Sequence, residues 1–229
     1  MAERSCVKWA GIPVYITNRN RLSTTSALVN WLLESGTNRV TILDNDSTYK
    51  PLLAYYENLS TKVQLLRLGE NVGPWAFWAK KFHLNQKLPY IVTDSDLVPD
   101  RLCPLDLIGK LMEYLVKYPE CQKVGPGLRI DDGPDLEGER KFWEKRCDSG
   151  AFYAAIDTTF ALYDHMAETD QYGFAVGSER NLRLDKPYLM RHMPWYATLP
   201  LSEEENYYRA HANPCWSTVA GVDLNLGEV

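Results

Sequence analysis

The feature that most constrains this chain is an alternation, within its first hundred residues, of short apolar runs with stretches of helical spacing. Runs at 12–17 (IPVYIT), 39–43 (RVTIL), 63–68 (VQLLRL) and 90–93 (YIVT) read as strands, because β-branched, leucine and aromatic residues dominate each. Between them, 22–33 brings Leu22, Ala27, Leu28, Trp31 and Leu32 to one helical face and stops at Gly36. Residues 51–58 read as a second helix and 75–84 as an aromatic-rich third. The succession βαβαβαβ predicts an α/β fold, a mostly parallel central sheet with helices on both faces. Ligands in such sheets bind at the carboxyl ends of the strands.

Beyond residue 100 the rhythm changes. A leucine-rich helix is expected over 104–118, then a segment rich in Gly, Pro and Asp over 125–138 (GPGLRIDDGPDLEG), with little to bury. Such a segment in an enzyme is expected to be a lid or binding wall, a surface insertion being the alternative. Residues 151–156 and 158–163 flank Asp157 with β-compatible side chains, as one bulged strand or two tightly joined ones. Another apolar segment with charged interruptions follows at 188–196. Ser202 and Glu205 have capping-box spacing for a last helix. With 229 residues and no long polar break, a single domain over 1–229 is expected.

Composition narrows the partners. Net charge is −5 and the basic residues are scattered, which argues against a nucleic-acid backbone and leaves open a small anion held by a metal. The five cysteines (Cys6, Cys103, Cys121, Cys147, Cys215) form no CxxC pair, so free, mostly buried thiols in a reducing compartment are expected. No basic-then-apolar leader opens the chain, and no apolar run approaches a membrane span. The expected location is cytoplasmic, with peripheral attachment at the cytoplasmic face of a membrane still compatible. The seven Trp and fourteen Tyr suit a carbohydrate or nucleobase site as well as a core.

Two acidic pairs stand at strand ends, Asp44/Asp46 and Asp94/Asp96. Carboxylates two residues apart, where a strand gives way to a loop, can both turn toward a cation and supply the hard oxygen ligands that Mg²⁺ or Mn²⁺ prefers. Spacing alone is a weak signal in a chain with fifteen Asp. Placement is stronger, because Asp94 follows YIVT without a gap.

Four elements together resemble the GT-A class of nucleotide-sugar glycosyltransferases, a Rossmann-like fold, and particularly its family 2-like members. They are Thr17-Asn18-Arg19-Asn20 after the first strand, Asp44-Asn45-Asp46-Ser47 after the second, Asn71-Val72-Gly73 before a helix, and Asp94-Ser95-Asp96. The resemblance covers roughly the first half, and implies a nucleotide-binding half at 1–100 and an acceptor-binding half at 101–229. It implies metal-dependent transfer of a sugar from a nucleotide-diphosphate sugar to a hydroxyl of a carbohydrate or lipid-linked glycan. By it, Thr17, Asn18, Arg19, Asp44 and Asp46 look like nucleotide contacts, with Asn71, Gly73 and Ser95 beside them. Asp94 should touch the ribose or a metal-bound water, and Asp96 should ligate Mn²⁺ or Mg²⁺ more directly. The fork of Arg19 suits a phosphate and equally a surface salt bridge; Asn71 and Gly73 equally suit an ordinary turn.

The second half lacks the Glu-Asp pair where many inverting relatives place a catalytic base. Asp157 is the leading candidate base, because a carboxylate interrupting an apolar stretch is costly to bury without partners or a task. Hydrogen bonding to Thr158, Thr159 or a turn explains it equally. Asp148 is the reserve. Asp131, Asp132 and Glu144 suit acceptor hydroxyls or a solvated loop. By the resemblance His192 looks like a third metal ligand or diphosphate contact, with adjacent Arg191 suited to phosphate; a packed structural histidine is the alternative. Trp195 and Tyr196 suit stacking on a sugar, whereas Trp75 and Trp78 suit core packing. The competing functions are a sugar nucleotidyltransferase, disfavoured by the lack of a Gly-rich phosphate cradle near the first strand, and a noncatalytic nucleotide- or carbohydrate-binding protein. A Rossmann oxidoreductase is weaker, since no GxGxxG follows that strand.

Overall fold

The computed structural model describes residues 9–133, 136–168 and 181–213. Four parallel strands form the first half of a nine-stranded sheet: β1 (Val14–Asn18), β2 (Val40–Asp44), β3 (Val63–Arg67) and β4 (Tyr90–Asp94). β1, β2 and β4 are almost wholly buried, which is why they read as continuous apolar runs rather than alternating ones. Helix α1 (Ser23–Glu34) buries Thr25, Leu28, Val29 and Leu32, a single stripe at helical spacing. Gly36 ends it with φ +87°, while the Gly36 and Thr37 amides return to the Leu33 and Leu32 carbonyls. Helix α2 (Lys50–Glu57) follows, with proline in its first turn.

The expected third helix over 75–84 is broken. Helix α3 covers only Ala76–Ala79, Lys81 takes a left-handed φ of 59°, and a 3₁₀ turn spans Phe82–Asn85. Chain reversal at Lys81 lets Phe77 and Trp78 bury against Tyr90 and Tyr163 of the sheet.

The later elements are β5 (Leu97–Pro99), α4 (Leu107–Lys117), β6 (Lys123–Gly125), β7 (Gly127–Leu128), α5 (Glu137–Arg140), β8 (Arg146–Asp148), β9 (Ala151–Tyr153), β10 (Ala161–Tyr163), β11 (Asn181–Leu184), β12 (Leu189–His192) and α6 (Glu203–His211). The large sheet runs β3-β2-β1-β4-β10-β6-β11-β9-β8, and β5-β12-β7 form a small second sheet. The α/β class expected from sequence therefore holds. The parallel arrangement belongs to β1–β4; beyond them β10 is antiparallel to both its neighbours, and β6 and β11 are parallel to each other.

Two expectations change here. The 125–138 segment is not loop throughout, because Gly125 ends β6 and Gly127 opens β7. The stretches flanking Asp157 are not one strand or a tight pair: β9 and β10 lie in the same sheet with β11 and β6 between them. Alternation along β4 and β10 splits the core, with Ile91 and Leu162 facing α1, α2 and α4, and Tyr90, Val92, Ala161 and Tyr163 facing α3. Cys103 and Cys121 are free and buried and Cys147 is half-buried and free, while Cys6 and Cys215 lie outside the described residues. Among the described residues no helix is long and apolar enough to cross a membrane.

Candidate functional site

A cleft of about 510 Å³ opens at the carboxyl ends of β1 and β4, which are in register with Thr17 beside Asp94. One wall holds Thr17, Arg19, Arg21, Asn45, Asn71 and Gly73, and the floor Asp94, Ser95 and Asp96. The opposite wall holds Glu139, Asp157, Thr158, Thr159, Arg183, His192, Trp195 and Tyr208.

Asn45 builds much of that first wall. Its Nδ2 donates to Asn71 Oδ1 (3.0 Å) and the Gly73 carbonyl (2.9 Å), and its Oδ1 accepts from the Val72 amide at 2.9 Å. The 71–73 loop, turned by Gly73 at φ +83°, is thereby laced to the end of β2. Arg19 lines the cleft and donates to the His211 carbonyl at 2.5 Å, while its Nε is buried without a hydrogen-bond partner. Thr17 Oγ1 is also buried without one.

Other expected nucleotide contacts lie elsewhere. Asn18 is buried and donates to the Tyr56 hydroxyl at 2.8 Å; that hydroxyl donates to Asp44 Oδ1 at 3.1 Å. Neither side chain lines the cleft. Asp46 is exposed, in a left-handed turn at φ +64°, and also stands outside it.

At the floor, Thr158 donates its hydroxyl to Asp94 Oδ2. Loss of water around Asp94, with the neighbouring Asp96 and Asp157 charges, holds its carboxyl well above the usual range, against the opposing Thr158 hydrogen bond. Asp96 moves the other way. Burial raises it, but His192 and Arg21 more than offset that and favour the carboxylate. His192 Nε2 lies 3.6 Å from Asp96 Oδ1, with its ring edge-on to Trp195 at 4.8 Å between centroids.

Among the described residues, no three His, Cys, Asp or Glu side chains converge closely enough to hold a metal by themselves. The expected trio of Asp94, Asp96 and His192 is thus not a closed cage, since Asp94 Oδ2 is taken by Thr158. Asp96 Oδ1 and His192 Nδ1 are both buried without a hydrogen-bond partner. Mg²⁺ sites commonly use one or two carboxylates and complete the shell with water and substrate phosphates. Asp96 and His192 fit an open site of that kind.

Asp157 is exposed on the cleft wall, in the loop between β9 and β10. Asp157 is therefore not a costly buried carboxylate, as the apolar flanks suggest, but an exposed one that lines the cleft. Asp148 does not line the cleft. It accepts from Lys117 Nζ (2.7 Å), Tyr118 (2.7 Å), Tyr114 (3.1 Å) and the Gly150 amide (2.7 Å). Burial opposes ionisation there, but these donors hold the carboxyl far below the ordinary range, which suits a structural anion and not a base. Arg191 is likewise committed: it pairs with Asp100 at 3.0 Å and with Asp132, behind the cleft. Asp131 pairs with Arg129 and Lys186, and Tyr196 donates to the Arg129 carbonyl and Asp132; neither lines the cleft.

Sequence reading missed Arg21, Arg183, Glu139 and Tyr208. Arg21 is buried against Glu205 and stacks over Tyr208 at 3.6 Å. Helix α6, capped by Ser202 accepting from the Glu205 amide at 3.1 Å, carries both partners and closes one end of the cleft. Only the capping signal was visible in the sequence.

No family model matches the chain, and no curated protein does. Solved structures do. A mannosyltransferase from Pyrobaculum calidifontis in complex with GDP-Man and Mn²⁺ aligns with TM-score 0.53 and 12% identity, over 79% of this chain and 56% of that one. The chain thus spans little more than half the length of that enzyme, and at this identity the likeness establishes a common fold. HddC from Yersinia pseudotuberculosis, complexed with GMP-PN, aligns over 53% of this chain and 60% of that one, with 17% identity and TM-score 0.38.

Proposed function

We propose that this chain is a metal-dependent glycosyltransferase of GT-A type, resembling family 2-like members, which moves a sugar from a nucleotide-diphosphate sugar to an acceptor hydroxyl. The observation that carries the reading is the pairing of Asp96 and His192 at the mouth of β4, 3.6 Å apart on the lining of one cleft. Support for the donor class comes from the solved mannosyltransferase of the same fold, which holds GDP-Man and Mn²⁺.

Asp96 and His192 would hold Mn²⁺ or Mg²⁺, which neutralises charge developing on the departing nucleoside diphosphate. Thr17, Arg19 and the Asn45-laced 71–73 loop bind the nucleotide, Arg19 offering its unpartnered Nε to a phosphate oxygen. Ser95 and Asp94 hold the ribose end of the donor. Asp157, exposed and facing the cleft, accepts the proton of the acceptor hydroxyl as that oxygen attacks the anomeric carbon. Residues 1–100 serve the nucleotide and 101–229 the acceptor, a carbohydrate or a lipid-linked glycan. Work in the cytoplasm, at the face of a membrane where the acceptor is lipid-linked, suits this chemistry.

Incubating the full chain with a panel of nucleotide sugars and Mn²⁺, with and without glycoside acceptors, tests the reading. Release of a nucleoside diphosphate supports it. Pyrophosphate formation from a sugar phosphate and a nucleoside triphosphate would assign the cleft to a nucleotidyltransferase instead, and binding without turnover across the panel to a noncatalytic protein.

A further inference from the structure

We infer that Glu139, Arg183 and Asp157 form an acceptor subsite built for an uncharged, hydroxyl-rich sugar and set against anionic ones. This rests on the proposed transfer reaction, and names the acceptor class for its cleft. Arg183 is only 4% exposed, yet lines the cleft. It projects from β11, three strands from β4 across β10 and β6. At about 4.8 Å per strand that is roughly 14 Å from the strand that carries Asp94, beyond the expected diphosphate and on the acceptor side.

The guanidinium is fixed on three sides. Its Nε donates to the Ala155 carbonyl at 2.9 Å, its plane lies over Phe142 at 4.5 Å, and one Nη stands 3.5 Å from Glu139 Oε2. Asp157, two residues beyond Ala155, adds a second negative charge that acts on the same guanidinium. Two carboxylates and one guanidinium thus share this wall of the cleft, for a net charge of −1. Sugar hydroxyls can donate to the carboxylates and accept from the guanidinium at once, whereas a carboxylate or phosphate on the acceptor would meet one cation between two anions. Trp195 in the same cleft offers an apolar ring to a sugar face.

Ligand-observed saturation-transfer NMR on the full chain, with methyl hexopyranosides, methyl hexuronides and hexose 6-phosphates, measures acceptor binding in the absence of donor. Titration of nucleotide-diphosphate sugars with Mn²⁺ measures donor binding separately. The neutral glycosides should bind at least tenfold more tightly than either anionic class. Glu139→Gln should weaken the neutral glycosides about tenfold and narrow the gap to the hexuronides, a change of charge selectivity that loose folding would not produce. Arg183→Met should weaken the neutral glycosides by at least as much; if it does not fold, Glu139→Gln decides alone. Tighter binding of hexuronides or hexose phosphates to the wild-type chain, or undiminished neutral binding in Glu139→Gln, overturns the subsite while leaving the donor reading standing. Glycoside selectivity without any nucleotide-sugar binding would keep the subsite and remove the donor reading.

Discussion

Thr158, in the loop after β9, donates its hydroxyl to Asp94 Oδ2 at the end of β4, so a residue of one wall of the cleft fixes a carboxylate of its floor. The neighbouring Ile156 carbonyl accepts from the buried Lys123 ammonium at 2.6 Å, which pins the same loop to β6. Thr158→Val removes the contact with little change in volume. Donor turnover should fall about tenfold, equivalent to ~1.4 kcal/mol in the barrier, and the urea unfolding free energy should fall by about 1–3 kcal/mol because the desolvated Asp94 carboxyl loses its donor.

Arg21 and Glu205 tie the loop after β1 to helix α6, with side chains 7% and 10% exposed. Glu205→Gln leaves a buried guanidinium without its counter-charge and should cost about 3–5 kcal/mol in urea unfolding. Arg21→Met combined with Glu205→Leu should recover most of that loss. Burial opposes the Glu205 charge, but Arg209 and Arg21 outweigh it and hold its carboxyl below the ordinary value. Its contribution is therefore complete above the unfolded range, near about pH 4.3, and is lost as pH falls through the depressed native value. The stability gap between wild type and Glu205→Gln should shrink over that acidic window.

Asp148 is a structural anion between α4 and β8. Asp148→Asn should lower stability by about 2 kcal/mol, within the range for hydrogen bonds to a charged group, and leave donor turnover intact. Since its native carboxyl is depressed, the penalty is full at neutral pH and fades as acid protonates the wild-type group. Urea midpoints at neutral and acidic pH check both parts.

Gly127 opens β7 where no side chain fits. A Cβ there would stand 2.4 Å from Trp143 and 2.6 Å from the Leu184 carbonyl. Gly127→Ala should cost about 1–3 kcal/mol of overpacking, visible as a lower unfolding midpoint.

The parallel half of the fold was legible because β1, β2 and β4 are long enough, and buried on enough sides, to leave continuous apolar runs. β7, β9 and β10 are two or three residues long and gain their identity from neighbours distant in sequence, so no local period marks them. The break at Lys81 was hidden because an aromatic run reads alike as one helix or as two turns packed on a sheet. In the cleft, the positions of Asp94, Asp96, Thr17, Arg19, Asn71, Gly73 and His192 followed from strand ends and the resemblance. Asp44 and Asn18 also stand at strand ends, yet bond to the Tyr56 hydroxyl and do not line the cleft, a distinction of side-chain direction that sequence spacing does not carry. Arg21 and Arg183 enter through partners more than forty residues away, Glu205 and Glu139, and left no motif.

The most direct test is nucleoside-diphosphate release from the donor panel by wild type and Asp96→Ala, each titrated with Mn²⁺ after chelator treatment. Removing a metal ligand at the leaving diphosphate should abolish most of the catalysis. The wild-type chain should require the cation, and Asp96→Ala should release product at least about a hundredfold more slowly at any Mn²⁺ concentration. Equal, Mn²⁺-dependent turnover in the two proteins would contradict the assignment of the cation to the end of β4.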